Sequence, residues 1–167
     1  VYHGPLVSEV YGMDPLIGVK RGFIEEERPL VNSDDLKSLS EVFHGKLALL
    51  SGRPRRSAEY AISNLLKHFR VKVFMEEGGD LKPDPEVSLK VLRELGSEFP
   101  IFVGDSGEDG LIKGELRRVG VESVFVGITS GIETVKGILE KVGADLICDD
   151  VREFISLVIS LRRRESV

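Results

Sequence analysis

Three carboxylates, Asp105, Glu108 and Asp109, stand within five positions of the stretch IFVGDSGEDG. Like charges that close repel one another, so a loop that gathers them behind an apolar run calls for a positive partner. Three other places carry chemistry of a complementary kind. Ser51 and Gly52 follow the apolar run LALL, Lys82 stands just ahead of Asp84-Pro85, and Thr129-Ser130 follow VFVGI. Asp84 suits an N-cap and Pro85 a first helical position. A lysine beside that helix start is unfavourable unless an anion lies between the two.

Each of these places also has a purely structural reading. Ser51 can simply leave a strand, with Gly52 and Pro54 forming a turn. Asp105 and Asp109 can be the N-cap and a first-turn acid of the next helix. Lys82 can be a solvated surface residue, and Thr129 and Ser130 can cap the helix that follows them. Glu108 reads as a surface acid. His3, His44 and His68 share no metal-like spacing. Cys148, the one cysteine, reads as a small buried hydrophobe at a strand end.

The elements that must position these residues follow from periodicity. Lys46–Leu50, Val71–Phe74, Ile101–Val103, Val124–Ile128 and Leu146–Cys148 read as short strands. Between them, residues 56–69, 85–95, 109–119 and 132–142 carry apolar side chains at helical spacing, and a final helix buries Val151, Phe154, Ile155, Val158 and Ile159. Strands that are apolar throughout, alternating with helices, predict an α/β, doubly wound, Rossmann-like parallel sheet covered on both faces. Upstream, Asp14-Pro15 predicts a helix start, and Ser33 is expected to cap a helix that Gly45 ends. No strand is evident before residue 46, so roughly the first thirty residues read as a small helical module.

Composition sets outer bounds. The chain has 167 residues, 41% hydrophobic and 31% charged, enough for one ordinary domain. A net charge of −5 gives no reason to expect nucleic acid or an acidic membrane as partner. No apolar stretch has the length of a membrane span and no signal peptide is visible. A single cysteine excludes an internal disulfide and fits a reducing compartment, hence a cytoplasmic expectation. The absence of Gln and the presence of only two Asn lean toward a thermophilic source.

In chain order, a hydroxyl ends one strand in LALLSGRP, a lysine precedes a helix in LKPDP, and a G-D-x-x-x-D pair ends another strand in IFVGDSGEDG. This ordered set resembles the second, third and fourth motifs of the haloacid dehalogenase-like superfamily, and VFVGITSG is similar to the following strand in its phosphoglycolate-phosphatase-like members. The resemblance covers about residues 46–155. It implies a phosphatase of small phosphomonoesters, with Asp105 and Asp109 as ligands of Mg²⁺. Asp109 would act directly, through water, or by orienting Lys82. It also implies that Ser51, the Gly52 amide, Arg53 and Lys82 bind the phosphoryl group. The ligand would be a small phosphorylated metabolite.

One part of the family pattern is missing. The first motif, an apolar strand ending in D-x-D that supplies the aspartyl-phosphate nucleophile and the general acid/base, has no match. Asp14 and Asp34-Asp35 lie at helix starts, and Asp149-Asp150 follow the last strand. In the family that strand lies between those of the second and fourth motifs. Without it two strand edges lose their partners, at about 1–3 kcal/mol per unpaired buried group. The expectation is therefore a chain inactive by itself, completed by an upstream segment or by a second chain. Residues 1–30 would be the C-terminal part of a helical cap and residues 31–167 the α/β core. Lys20, Arg21 and Arg53 could meet a second anionic group of the substrate, or form a solvated basic face. The reading from another class is a non-catalytic phosphate-binding or regulatory module. A metal-free dehalogenase would leave the acid pair with no cation to hold.

Overall fold

The computed structural model describes residues 28–74 and 84–165. The helical module expected before residue 28, with Lys20 and Arg21, lies outside the described residues, and so does Lys82. Within them the elements run α1 (Ser33–Val42), β1 (Ala48–Ser51), α2 (Arg55–Leu66), β2 (Val71–Phe74), α3 (Pro85–Leu95) and β3 (Ile101–Gly104). They continue with α4 (Gly107–Arg118), β4 (Val124–Ile128), α5 (Glu133–Lys141), β5 (Leu146–Cys148) and α6 (Val151–Glu165). Strand positions agree with the periodicity to within a residue or two. The helix predicted over 56–69 stops at Leu66, and Phe69 lies in the turn beyond it.

Every strand pairing is parallel. Ala48 pairs with Val71 and Ser51 with Phe74 in one sheet; Ile101 pairs with Val124, and Val126 with Leu146, in the other. The orders are β1-β2 and β3-β4-β5, so β1 and β3 do not pair with each other. Alternation along the strands divides the helices between two faces. Val126 and Ile128 share a core with Leu36 and Leu39 of α1, Leu65 of α2, and Phe154 and Ile155 of α6. Ala48, Leu50, Val71 and Val73 pack instead with Val91 and Leu95 of α3. Phe125, on the other face of β4, lies against α4, close to Gly110, and Leu139 of α5 lies against Gly127. The fold is an α/β arrangement of parallel strands between two helical layers, and those layers join the two sheets into one body.

The expectation of strands covered on both faces fails at β3. Ile101 is 38% and Val103 40% exposed, although both are apolar strand residues. They point to the same face as their partners Val124 and Val126. Those partners are more covered, and β3, like β5, is an edge strand of its sheet among the described residues. An apolar strand edge left open in this way is a template for another strand.

Local capping explains where the helices start, and corrects one expectation. Asn32, not Ser33, caps α1: its Oδ1 accepts from the Asp34 and Asp35 amides at 2.8 and 2.9 Å, and the Asp35 carboxylate returns the bond. Ser33 instead meets His68, Oγ to Nε2 2.6 Å, which ties the start of α1 to the turn after α2. The helix ends at Val42, ahead of a turn in which His44 and Gly45 take φ of 52° and 74°. Asp84 and Pro85 start α3 as expected, the Asp84 Oδ1 accepting from the Glu86 amide at 2.8 Å. Packing of α6 on α1 is reinforced by Arg152–Asp35 at 3.7 Å and by Arg162 donating to the Glu41 carbonyl. No helix among the described residues is long and apolar enough to cross a membrane.

Candidate functional site

Side chains that could do chemistry gather at the carboxyl ends of the strands, the usual place for ligands in parallel sheets. On the two-stranded half, Ser51 ends β1 half-buried, and its Oγ accepts from the Arg53 amide at 3.2 Å. Gly52 is exposed, and a Cβ there would meet nothing within 4 Å. Pro54 is the N-cap of α2; no side chain caps that helix, and no acid stands in its first turn. Arg55 lies over the ring of Phe74, 4.5 Å from the centroid, and pairs with Glu59 at 3.9 Å. A cavity of about 250 Å³ opens beside Ser51, lined by Arg28, Pro29, Arg53, Ala58, Ala61 and Ile62. Ile62 stands at a kink in α2, with φ −136° and ψ 27°.

The three-stranded half ends in acid. Asp105 is exposed and has no hydrogen-bond or ion-pair partner among the described residues. It is not the N-cap of α4. Ser106 takes that role, and Asp109 completes a capping box. The Ser106 amide and hydroxyl donate to Asp109 Oδ2 at 3.1 and 2.8 Å, while the Asp109 amide donates to Ser106 Oγ at 3.3 Å. Asp109 is only 8% exposed, and glycine is needed at 104 to admit it. A Cβ at that position would fall on the Asp109 carboxylate and lie 2.7 Å from its Cβ. The acid pair of the sequence thus separates into an outward carboxylate, Asp105, and an inward one, Asp109, that shapes the loop. Glu108 is exposed, as expected.

Next to this loop, Thr129 and Ser130 do not cap α5, whose N-cap is Ile132. Thr129 is 3% exposed; its Oγ1 donates to Asp149 Oδ1 at 3.2 Å and accepts from the Gly131 amide at 3.1 Å. Ser130 carries a φ of 53° in the turn so formed. Asp150 caps α6 through the Arg152 and Glu153 amides, at 2.7 and 2.9 Å. Neither Asp149 nor Asp150 is presented as a nucleophile. Cys148 is buried, and burial together with Glu153, Asp150 and Asp149 pushes its thiol pKa up, away from the reactive thiolate.

Mg²⁺ is held by one or two carboxylates together with several waters. Asp105 meets that requirement as an accessible carboxylate, and no group of three His, Cys, Asp or Glu side chains suited to a metal occurs among the described residues. Sequence reasoning missed Arg28, because no spacing links it to Ser51; the chain path alone brings them to one cavity. None of the protein-family models searched matches the chain, and no curated protein sequence matches it.

Proposed function

We propose that this chain is the motif-bearing core of a haloacid dehalogenase-like phosphatase that hydrolyses a small phosphomonoester with Mg²⁺. The observation that carries the reading is the division of the strand ends by charge. A hydroxyl, an exposed glycine and arginines stand at the end of β1, and an outward carboxylate stands at the end of β3. The strand between these two ends is supplied from outside the described residues, by an upstream segment or by a second chain. It brings the D-x-D nucleophile and acid/base. The exposed edge of β3, with Ile101 and Val103, is where that strand pairs.

In this reading Ser51 Oγ and the Gly52 amide donate to the phosphoryl oxygens, and Arg53 and Lys82 offset their charge. Asp105 holds the metal, whose chemistry is to neutralise charge on the transferring group. Asp109 acts by fixing the loop that presents Asp105, through Ser106. Positioning and charge stabilisation dominate phosphoryl transfer, and this set contributes to both, leaving the attacking carboxylate and the acid/base to the D-x-D strand. In the same reading the compartment is the cytoplasm.

The test is turnover of p-nitrophenyl phosphate by the protein carrying its D-x-D strand, with and without Mg²⁺. Asp105→Ala is expected to lower kcat about 10²–10³-fold, the scale of losing one preorganised charge-stabilising group. Metal-independent turnover, or full activity of the variant, ends the phosphatase reading. Phosphate binding without any turnover favours a regulatory module.

A further inference from the structure

Helix α6 buries Phe154 and Ile155 in the core, yet two of its leucines stay largely in water, Leu157 at 40% and Leu161 at 52% exposed. At about 100° per residue, Glu153, Leu157, Leu161 and Arg164 follow one another along one flank of the helix. The ties to α1 leave from the opposite flank, through Arg152 to Asp35 and Arg162 to the Glu41 carbonyl. Helix α1 packs against both α6 and α2, so it stands between them, and the leucine flank is the outer margin of that layer. The sheet ends at the same margin, because β5, which α6 covers, is an edge strand. A strand of three residues is a poor template for another strand, so the helix flank is the surface on offer there. Its two ends carry opposite charge. Glu153 is exposed and accepts from the Asp149 amide through Oε2, which leaves Oε1 for a second partner. Arg164 is exposed and makes no hydrogen bond or ion pair among the described residues.

We propose that this flank of α6 is the interface of a two-fold dimer of the chain. A surface with an acid at one end, leucines in the middle and a base at the other complements itself when turned end for end. With the axis level with Ile159, Leu157 of one copy lies against Leu161 of the second copy. Glu153 then reaches the turn that bears Arg164 of the second copy, and the symmetry makes each contact twice. A partner of a single charge sign would answer one end of the flank and oppose the other. A second copy answers both. Covering the leucines removes apolar surface from water, and the two cross-copy ion pairs fix the register. Neither Ser51 nor Asp105 takes part, so the dimer stands or falls independently of the phosphatase reading.

Sedimentation equilibrium of the 167-residue chain tests this. A dimer is expected with a Kd on the order of 10 µM, since a patch of this size belongs with the smaller, transient interfaces. Leu161→Glu is expected to weaken it about 30-fold, the loss of a central anchor. Arg164→Glu should weaken it about tenfold by setting like charges together. Combining Glu153→Lys with Arg164→Glu restores opposite charges and should return the Kd to within about threefold of the native value. Circular dichroism checks each fold, and Leu161→Ser replaces Leu161→Glu should the latter fail to fold. A native chain still monomeric at about 200 µM, well above that Kd, overturns the proposal. So does a dimer that Leu161→Glu and Arg164→Glu leave intact; its loss in Ile101→Lys would place the contact at the edge of β3. A monomer that pellets with phosphatidylglycerol vesicles, and ceases to in Leu161→Glu, would assign the flank to a lipid surface instead.

Discussion

The two-stranded and three-stranded halves are made of the same parts, parallel apolar strands under amphipathic helices, yet they finish differently. Beyond β1 come Arg53 and Arg55, with Arg28 beside them; beyond β3 and β5 come Asp105, Asp109, Asp149 and Asp150. They are also held differently. In the three-stranded half Lys113 of α4 reaches Asp145 at 2.5 Å, and the other Asp145 oxygen accepts from the Phe125 amide at 2.8 Å, so one carboxylate ties a helix to the sheet. In the other half Arg55–Glu59 spans one turn of a single helix at 3.9 Å and is about half exposed. The difference teaches that the acidic half has a carboxylate joining helix and sheet, whereas Arg55–Glu59 joins only neighbouring turns of one helix.

The largest effect should come from the cores. Phe125 and Phe74 are both fully buried, and truncating either to alanine is expected to cost about 3–5 kcal/mol, read by urea unfolding. If the acidic half is the framework, Phe125→Ala unfolds the whole chain, whereas Phe74→Ala leaves native amide protection on β3, β4 and β5 in hydrogen exchange. Equal loss of protection in both variants would break the comparison.

A second test uses pH. Partial burial alone would raise the Asp145 pKa, but the Lys113 hydrogen bond, the Phe125 amide and the Lys113 charge outweigh it, and the pKa is lowered. A carboxylate depressed on folding contributes stability above its unfolded pKa, about 3.9, and the contribution is lost as pH falls through the folded value. Lys113→Met should therefore lower Tm at pH 7, with the gap to the native chain closing below about pH 4. A gap constant down to pH 3 would mean that Lys113 acts through packing alone.

The smallest effect concerns α3, which packs on the basic half. Ser88 is 1% exposed and its Oγ has no hydrogen-bond partner among the described residues. Removing an unsatisfied buried hydroxyl relieves its desolvation cost, so Ser88→Ala should raise stability by up to about 1 kcal/mol. A clear loss would mean that the hydroxyl has a partner beyond the described residues.

Much of this architecture could be read from the sequence, for reasons that also mark where reading stopped. Short apolar runs between helical stripes have one economical arrangement, and all five strands fall where periodicity put them. Helix starts were harder, because Asn32 and Ser33, like Asp105 and Ser106, are neighbours that can both cap. Only backbone angles decide between them. Thr129 was read as a cap because composition cannot reveal a buried partner twenty residues on, Asp149. Ser51, Gly52, Arg53, Asp105 and Asp109 were legible from their positions after strands. Arg28 was not, since nothing in its surroundings distinguishes it from a solvated arginine.

The seating of Asp109 on Gly104 has an evolutionary corollary. Because the last residue of β3 and the third of α4 occupy mutually exclusive space, neither position can drift alone. A descendant with a larger residue at 104 must first have shortened 109, and would thereby have surrendered the lock that aims Asp105 outward. Strand end, serine and acid are accordingly expected to change together or not at all.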